Sequence, residues 1–331
     1  MLLPFQEIQA LVQAALIHNG ASVLQAHATA LALVTAQASG LPSHGLSRVA
    51  MYVSHLQTGR VQGHAMPHIL NERPAAVLID AGNGFAFPAC QMAIEQAIPR
   101  AQDFGIAIAA ITNSHHFGMA AYHLDPVAHA GLVGIVCGNS PAAMPAAGGK
   151  RPIFGTNPIA AIFPRGGHPP VSVDLSLSEV ARGKLMVAAD KGESIPLGWA
   201  LDKDGMPTTD PAKGLEGSML AMGGTKGALL ALVVELLVTS LTGAHFGAEA
   251  DTFFKPEGNQ PRLGQVFIVI DPQALGGQTV YNERVEALIS AMLSDEGVRL
   301  PGQRRIQLVE AAKQRGLDLP QSVIDAIRAL C

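Results

Sequence analysis

Three short, almost wholly apolar runs are the sequence feature that most limits how this chain of 331 residues can fold. They are Gly105–Thr112 (GIAIAAIT), Leu132–Cys137 (LVGIVC) and Gln265–Ile270 (QVFIVI). Continuous apolar runs of this length are typical of strands buried on both faces of a sheet. Because helical patterns at Cys90–Ala101 and Phe117–Ala130 alternate with them, the sequence predicts an α/β fold.

The two ends of the chain have helical patterns instead. The spacing predicts helices over Ser22–Ser39, from Ser43 to about Gly59, and from Tyr281 onward. A first helix ends near Gly20, where a glycine suits a C-terminal cap. Its apolar face consists of Phe5, Ile8, Leu11, Val12 and Leu16.

These patterns divide the chain into two regions. We expect residues 1–70 with 280–331 to form a helical domain from both chain ends, and residues 71–279 to form an inserted mixed α/β domain. The most apolar helix, Gly224–Leu241, is expected to be buried. The remaining predictions are strands at Ala76–Asp80, Ile159–Phe163 and Val171–Asp174, a helix from Ser178 towards Asp190, and loops over Gly138–Pro158 and Lys191–Gly217.

Composition and charge exclude several classes of protein. Charged residues make up 15% and hydrophobic residues 48% of the chain, which argues against disorder and a coiled coil. The net charge is −4 and no basic run exceeds a pair, so no nucleic-acid partner is expected. The stretch Ala228–Leu241 includes Glu235 and is too short to span a bilayer, so no membrane partner is expected either.

The cysteines and the N-terminus favour a cytoplasmic protein. Cys90, Cys137 and Cys331 lie far apart and show neither metal spacing nor a disulfide framework, which fits a reducing compartment. The first residues, MLLPFQEIQ, lack the basic start and apolar run of a signal peptide. No metal is expected, because histidines such as His123, His129 and His245 have no ligand spacing.

Both common nucleotide-binding fingerprints are missing. No Gly-x-Gly-x-x-Gly follows a predicted strand, since Gly82-Asn83-Gly84 lacks the third glycine. There is also no Gly-Lys-Ser/Thr loop. An ordinary Rossmann enzyme is therefore disfavoured.

The first cluster that could perform chemistry is Ser43-His44-Gly45 with Arg48. On a helix, Arg48 lies one turn beyond His44, so the two side chains share a face. An arginine can hold a carboxylate through two hydrogen bonds, and a histidine can pass a proton to a developing alkoxide. In the alternative interpretation, Ser43 is a helix cap and both other side chains are solvated.

Two further clusters lie in loops after strands. Asn113–Gly118 (NSHHFG) joins a buried strand to a helix, where α/β enzymes place groups that bind anions. Gly155–Pro158 (GTNP) follows the glycine-rich Ala147–Lys150, and glycines let the backbone approach a ligand closely. The alternatives are a capped polar loop and an ordinary turn.

Three more clusters lie at predicted helix starts. Asp174-Leu175-Ser176 precedes Arg182-Gly183-Lys184, and both segments could bind a ligand. In the alternative interpretation, they form a helix cap and a solvated basic turn. Gly223–Gly227 (GGTKG) opens the apolar helix, so its lysine either meets an anion or is solvent-exposed. Leu300–Arg305 (LPGQRR) places two arginines at a helix start, against the helix dipole, which favours an anionic partner such as a phosphate.

As an ordered set, these motifs resemble one family. The chain is similar to the malate/L-lactate dehydrogenase-like NAD(P)-dependent oxidoreductases, which lack a Rossmann fold and include sulfolactate dehydrogenase, ureidoglycolate dehydrogenase and reductases of Δ1-piperideine- and Δ1-pyrroline-2-carboxylate. The resemblance covers nearly the whole chain. Its motifs are SHGLSR, NSHHFG, the GG-to-GTNP segment, DLSLSEVARGK, GWALDKDGMPTTDP, GGTKG and LPGQRR.

The resemblance implies a homodimer with a mixed sheet that binds NADPH or NADH. It implies a catalytic Ser43–His44 pair with His44 as proton donor, and a substrate carboxylate held by Arg48 and Thr156. Lys184 is also included as a candidate catalytic residue, because it occupies the position where cyclic-imine reductases have an aspartate that acts as a proton relay. At the position of Thr225 the family often has a histidine. The implied cofactor-binding residues are His116, Phe117, Gly118, Met119, Ala120, Asp174, Leu175, Ser176, Thr225, Lys226, Pro301, Gly302, Gln303, Arg304 and Arg305.

Three functions follow as hypotheses. The first is hydride transfer between NAD(P)H and a small 2-oxo acid that yields a 2-hydroxy acid, which the lysine at position 184 favours. The second is reduction of a cyclic imino acid to pipecolate or proline. The third is a catalytically idle, ligand-binding relative, against which the intact Ser43, His44 and Arg48 argue.

Overall fold

A seven-stranded mixed sheet forms the centre of the computed structural model, which describes all 331 residues. Every neighbouring pair of strands is antiparallel except β2 and β3, which are parallel. The spatial order is β1-β2-β3-β7-β4-β5-β6. In chain order the strands are β1 (His68–Arg73), β2 (Ala76–Asp80), β3 (Ile106–Ser114), β4 (Val133–Gly138), β5 (Ile159–Arg165), β6 (His168–Leu175) and β7 (Leu263–Ile270).

Eleven α-helices surround this sheet. Small strand pairs lie outside it: Met144–Pro145 with Pro152–Phe154, and Ala200–Leu201 with Pro207–Thr208 and Ser218–Met219. The helices are α1 (Phe5–His18), α2 (Val23–Ala38), α3 (Val49–Gln57), α4 (Ala86–Phe104), α5 (Asp125–His129), α6 (Arg182–Lys191), α7 (Pro211–Glu216), α8 (Thr225–Thr242), α9 (Gln278–Leu293), α10 (Gln303–Arg315) and α11 (Gln321–Arg328).

The predicted apolar runs form the middle of the sheet, as expected. Phe267 of β7 pairs with Ala109 of β3 on one side and with Val136 of β4 on the other. All three side chains are completely buried. Helix α4 packs on one face of these strands and α8 on the other, so the strands lose water on both faces. The mixed, non-Rossmann α/β fold is confirmed.

The two chain ends share one core, as predicted. Residues of α1, α2 and α3 pack against residues of α10 and α11 in a single apolar cluster. The first residues also pair with the last part of the chain, since Leu2–Leu3 forms an antiparallel bridge to Leu317–Asp318. The chain therefore starts and ends in the same helical layer.

The division at residues 70 and 280 stays a prediction, and two elements lie across or beside it. Strand β1 spans residue 70 and pairs with β2 in the sheet. Helix α9 buries only Ile289 and contacts the sheet, where Arg165 of β5 forms a two-bond ion pair with Glu286 at 2.7 Å. Strand β1 is therefore part of the sheet, and helix α9 packs against it.

Some predicted elements differ from the observed ones. Strand β1 was not predicted because all six of its residues are exposed, so its sequence HILNER has no apolar alternation. The predicted helix Phe117–Ala130 is instead a loop followed by a 3-10 turn over Ala120–Leu124 and the short α5. Gly118 has a left-handed φ of 70°, which a continuous helix cannot accommodate.

The apolar helix α8 is only half buried, which corrects the expectation of a buried helix. One face packs on the sheet, and there the carboxylate of Glu235 accepts hydrogen bonds from Asn157, Gly247 and Asn139. By length and composition alone α8 could cross a membrane, with 39% of it buried. The opposite face exposes Leu229, Leu230, Leu232, Val233, Leu236, Leu237 and Leu241.

Candidate active site

A small pocket lies where the segment after α2 meets loops from the sheet. Its volume is about 120 Å³, and neither acidic residues nor lysines line it. Its volume suits a small metabolite and is far too small for a dinucleotide. The charged and hydroxyl groups around it include Ser43, His44, Arg48, Thr156, Ser176 and Arg182.

Two 3-10 turns place the Ser43–Arg48 segment at the pocket. The turns are Pro42–His44 and Leu46–Arg48, and Gly45 lies between them. A Cβ on Gly45 would come within 2.8 Å of the Gln37 side chain, so glycine allows the segment to lie directly on α2. The sequence motif therefore folds as a tight turn against a helix rather than as the predicted helix start.

Ser43 and His44 form a hydrogen-bonded pair. The Oγ of Ser43 lies 3.1 Å from Nδ1 of His44. The His44 ring stacks on His116 with centroids 5.7 Å apart, and Tyr52 holds His116 through a 2.6 Å contact between its hydroxyl and Nδ1. The remaining ring nitrogen of His44, Nε2, has no hydrogen-bond partner within the protein, so it is free to exchange a proton with a ligand.

The surroundings of His44 keep its ring neutral. Burial, followed by the positive charges of Arg48 and Arg305, lowers the pKa of His44 to about 4. An anion that pairs with these arginines removes part of this effect and raises the affinity of His44 for a proton. The site therefore couples anion binding to proton uptake.

The guanidinium of Arg48 is held at its inner edge. Its Nε donates a 2.6 Å hydrogen bond to the backbone carbonyl of Ser43, and its Cζ lies 5.2 Å from the ring centroid of Phe254. Only Met51 Sδ, at 3.6 Å, contacts the outer nitrogens. Those nitrogens can therefore bind a carboxylate end-on.

Thr156 lines another side of the pocket, in a segment that is held in place by hydrogen bonds to Ser140 and to Glu235 of α8. Its backbone N–H donates to Ser140 Oγ at 3.0 Å. The neighbouring Asn157 donates to Glu235 of α8 at 2.6 Å, and Asn139 donates to the same carboxylate at 3.3 Å. Burial raises the pKa of Glu235, whereas these hydrogen bonds oppose the shift. One buried carboxylate thus aligns the two loops that present Ser140 and Thr156.

A third wall comes from residues 251–259, which Arg60 holds in place. The Arg60 side chain is 1% exposed and donates to the backbone carbonyls of Asp251, Thr252, Lys255 and Asn259. This segment provides Phe253 and Phe254 to the pocket. A buried arginine that forms no ion pair thus shapes the site through main-chain contacts.

Arg60 also orders a buried pair of histidines beneath the pocket. Its Nη1 lies 3.2 Å from Nε2 of His55, and Nδ1 of His55 lies 3.0 Å from Nε2 of His115. Nε2 of His55 also lies 3.3 Å from the carbonyl oxygen of Lys255. Burial and the charge of Arg60 lower the pKa of both rings, to about 4 for His55, so the pair is neutral.

A larger cleft adjoins the pocket. It consists of two neighbouring cavities of about 540 and 570 Å³, and Ser39, Ser172, Gly302 and Arg305 line both of them. Asp174 lines this cleft, and Ser176, two residues further on, lines the small pocket. A ligand in the cleft can therefore extend along Asp174–Ser176 towards His44.

The donor groups of the cleft fit a nicotinamide dinucleotide. The 540 Å³ cavity of the cleft is lined by Arg299, Arg304 and Arg305 and by a single carboxylate, Asp174, so this part of the cleft favours phosphates. Asp174 accepts a 3.0 Å bond from the Ala121 N–H and lies 3.7 Å from Arg305. A carboxylate in this setting suits a ribose hydroxyl.

The backbone of the cleft also depends on a glycine. Gly302 has a φ of 81°, and a Cβ there would lie 2.7 Å from the Cβ of Ser172. A residue with a side chain at position 302 would keep the start of α10 further from strand β6, so glycine allows this close approach. This places the first turn of α10, which no side chain caps, at the cleft.

Most of the residues chosen from the sequence lie in these two spaces. Ser43, His44, Arg48, Thr156, His116 and Ser176 line the pocket, and Met119, Asp174, Pro301, Gly302, Arg304 and Arg305 line the cleft. Gly118 lies in the loop between them. Phe117 and Ala120 are buried in the core under the sheet.

Several other predicted site residues are not brought to either space. Lys184 is exposed and its Nζ lies 5.8 Å from the ring centroid of Trp199. Thr225 and Lys226 lie at the exposed start of α8. Leu175 and Gln303 adjoin cleft residues in sequence without lining the cleft. Their assigned roles stay predictions.

The structure adds residues that the sequence did not reveal. Ser140, Phe253 and Phe254 line the pocket from segments distant in sequence, and Tyr52 and Arg60 support it from behind through His116 and residues 251–259. None belongs to a recognisable motif, so only the fold shows their role. Arg182 was visible in the sequence as part of a basic turn, and the structure places it in the pocket.

The fold and the two spaces fit one class of protein: an oxidoreductase without a Rossmann fold, with a cleft large enough for a dinucleotide beside a small pocket that contains a histidine and two arginines. The sequence profile described as malate/L-lactate dehydrogenase matches residues 3–328. The chain therefore belongs to the malate/L-lactate dehydrogenase family, and it is an NAD(P)-dependent oxidoreductase.

Individual relatives agree over the full length. The chain is 46% identical to (2R)-3-sulfolactate dehydrogenase (NADP(+)) of Chromohalobacter salexigens, covering 99% of this chain and 97% of the relative. It is 38% identical to a Δ1-pyrroline-2-carboxylate/Δ1-piperideine-2-carboxylate reductase of Pseudomonas putida, covering 99% and 96%. The solved Δ1-piperideine-2-carboxylate reductase of Pseudomonas syringae pv. tomato superposes with a TM-score of 0.94 at 36% identity, and all of both chains is covered.

Proposed function

We propose that the protein reduces a small 2-oxo acid to a 2-hydroxy acid with NADPH or NADH. The observation on which this proposal rests is the pairing of His44, backed by Ser43, with Arg48 in one small pocket. The pocket thereby combines a proton donor with a carboxylate anchor. The relative at 46% identity is named for a 2-hydroxy acid, which supports this choice.

The residues divide the reaction between them. Arg48 and the Thr156 hydroxyl bind the carboxylate of the substrate, and Phe253 and Phe254 exclude water from its other side. Arg305, Arg304 and Asp174 would hold the dinucleotide, which when bound would supply the hydride needed for the reduction. His44 Nε2 gives its proton to the carbonyl oxygen. The Ser43 hydroxyl can donate to a bare Nδ1 or accept from a protonated one, so it supports both states of the ring.

Reduction of a cyclic imino acid is the second candidate function. Relatives at 38% identity and below are named as such reductases, and the same His44 and Arg48 could serve an imine. The structure places Lys184 outside the pocket, against Trp199. Lys184 therefore provides no acidic relay beside Ser43. For this reason we prefer reduction of a 2-oxo acid as the function.

We also propose that the protein is a cytoplasmic homodimer that uses the exposed face of α8. This face presents seven leucine and valine side chains to solvent in the single chain. Monomeric proteins rarely leave a continuous apolar surface of this size uncovered. A second copy of the chain would cover it with an equivalent surface.

A substrate panel tests the proposed function. Oxidation of NADPH and of NADH is followed with pyruvate, oxaloacetate, sulfopyruvate, oxalurate and Δ1-piperideine-2-carboxylate. We expect substrate-dependent oxidation with at least one 2-oxo acid, at a kcat/KM well above that for the imine. Preference for the imine would transfer the assignment to the second candidate, and no oxidation with any substrate would reject both.

A further inference from the structure

Strand β3 contains one extra residue just before the loop that carries two histidines to the site. Gln265 of β7 faces Ile111 of β3, whereas Leu263, two residues earlier, faces Ser114, three residues later. This interval therefore holds one more residue on β3 than on β7, and that mismatch is a β-bulge. Bulges beside active sites often redirect side chains, and this one includes Asn113.

The bulge sets the direction of the side chains that follow it. Because side chains alternate along a strand, one extra residue moves the later ones to the opposite face. The chain leaves the sheet with His115 beneath the pocket, where its Nε2 lies 3.0 Å from Nδ1 of His55. The next side chain, His116, lines the pocket itself. The bulge thus determines which of the two histidines reaches the pocket.

Asn113 holds the bulge through its backbone conformation and two polar partners. Its φ of 50° lies in the left-handed region, which few residues other than glycine and asparagine adopt readily. Its Nδ2 donates to both carboxylate oxygens of Asp80, at 3.1 and 3.0 Å, and its Oδ1 accepts from Nε of Arg262 at 3.1 Å. Since a carboxylate only accepts and a guanidinium only donates, the amide fits between them in one orientation.

The two partners fix this amide from both neighbouring strands. Asp80 is the last residue of β2, and its carboxylate also accepts from the Gly82 N–H at 2.7 Å. Arg262 directly precedes β7 and itself has a left-handed φ of 49°. Strained backbone of this kind persists only where its surroundings hold it. The amide of Asn113 therefore joins β2, β3 and β7 where the chain turns towards the pocket.

From these contacts we propose that Asn113 is a positioning residue, which with Asp80 and Arg262 locks the bulge that sets His116 against His44. The two imidazole rings stack with centroids 5.7 Å apart, so a displaced His116 leaves the His44 ring without this support. The inference rests on the proposed function, in which His44 gives the proton. Asn113 does not line the pocket, so its loss should act on kcat more than on KM for the 2-oxo acid.

Kinetics of three variants test this lock. Asn113→Gly accepts the left-handed backbone but loses both partners, so kcat should fall at least about tenfold while KM and NADPH affinity stay within about twofold. Asn113→Asp places a second carboxylate against Asp80 and should lose at least as much. Adding Asp80→Asn to Asn113→Asp exchanges the amide and the carboxylate, so a donor again faces an acceptor. This double variant should recover kcat to within about threefold of wild type.

Asn83→Gly is the matched control for these variants. Asn83 also has a left-handed φ, of 60°, but its Oδ1 has no hydrogen-bond partner. Its backbone N–H, which donates to the Asn113 carbonyl at 2.8 Å, is kept in the glycine variant. Asn83→Gly should therefore have the wild-type kcat and KM.

Nitrogen NMR spectra of the histidine rings separate this inference from the proposed reaction. Tyr52→Phe identifies the Nδ1 signal of His116, because it removes the hydroxyl that lies 2.6 Å from this nitrogen. Asn113→Gly should shift the same signal, and the double variant should return it towards the wild-type position. If no 2-oxo acid is reduced but the signal behaves in this way, the lock stands and the proposed reaction fails.

Two results would overturn the assignment. An unshifted His116 signal with the wild-type kcat in Asn113→Gly would show that the bulge holds its shape without the amide. Parallel losses in kcat, substrate affinity and NADPH affinity, with an unshifted signal, would show that Asn113 only stabilises the fold. Circular dichroism and thermal unfolding of each variant give the folded fraction to which its rates are referred.

Discussion

At the scale of single residues, the charge state of His44 determines how activity depends on pH. Its pKa of about 4 means that the ring is neutral at pH 7, whereas reduction requires the protonated form. We therefore expect kcat/KM for 2-oxo acid reduction to fall as pH rises through the neutral range, approaching about tenfold per unit. Oxidation of the 2-hydroxy acid needs the neutral ring, so its kcat/KM should stay level above about pH 5.

The dependence of kcat/KM on pH is measured for 2-oxo acid reduction and for 2-hydroxy acid oxidation, for wild type and for His44→Ala. The variant should lose about 10²–10⁴-fold in kcat together with this pH dependence. His68→Ala, in the exposed edge strand, is the control. A reduction rate independent of pH would contradict His44 as a donor with a depressed pKa.

Arg60 is expected to act on the pocket without touching the substrate. Arg60→Met removes the donors that fix residues 251–259, and the buried carbonyls are left unpaired. We expect stability to fall by about 3 kcal/mol or more, and KM for the 2-oxo acid to rise more than kcat falls. Denaturant unfolding and steady-state kinetics measure the two effects. An unchanged KM in the folded variant would show that this segment does not shape the pocket.

At the scale of elements, the exposed face of α8 is the feature that a single chain does not explain. Leu236 is 53% exposed in the middle of this face. Leu236→Glu places a charge in the proposed contact, so sedimentation should show a monomer where wild type is a dimer. Leu275→Glu serves as control, since Leu275 is 79% exposed and lies outside the helix. A wild-type protein that sediments as a monomer would contradict the proposal that α8 forms a dimer interface.

The elements also show which parts of the fold a sequence can predict. The apolar runs around Phe267 and the capped α2, where Ser22 accepts from the Gln25 N–H, were predictable because burial and capping leave local patterns. Strand β1 was not, because its pairing with β2 involves only the backbone and leaves its side chains in water. Helix α8 was predicted as a helix. Its exposed face was not predicted, because the sequence of a helix does not show which of its apolar residues the rest of the fold covers.

The site shows the same difference between local and distant signals. Ser43, His44 and Arg48 lie in one motif, so the sequence suffices to associate them. Arg60 and the segment it holds are about 190 residues apart in the chain, and Tyr52 meets His116 across 64 positions. Such contacts leave no spacing pattern, so they emerge only from the folded chain.

At the scale of the whole molecule, buried neutral histidines should make the fold sensitive to acid. Burial lowers the pKa of His44, His55 and His123 to about 4, and it also lowers the pKa of His115 and of His116 well below the usual value. The unfolded chain, with histidines near their usual 6.5, binds more protons than the folded one between these values. Stability is therefore fully present above about pH 6.5 and falls towards pH 4, by up to about 1.4 kcal/mol per histidine and pH unit.

Acidic groups oppose this effect only in part. Burial raises the pKa of Asp125 to about 6 and also raises those of Asp174 and Glu235, and these shifts stabilise the fold as pH falls. Five histidines outnumber these three carboxyls, so the melting temperature should drop steeply from pH 6.5 to 4.5. A melting temperature that stays level over this range would contradict the neutral histidine cluster.

Arg48 is proposed to bind a carboxylate beside the proton donor His44, and kinetics of Arg48→Lys are the sharpest test of this role. A lysine keeps the charge but loses the planar fork whose inner edge is fixed by the Ser43 carbonyl. On the best 2-oxo acid, we predict that kcat/KM falls at least about tenfold, mainly through KM, with NAD(P)H affinity unchanged. A variant with the wild-type KM and kcat would contradict the substrate anchor and with it the proposed active site.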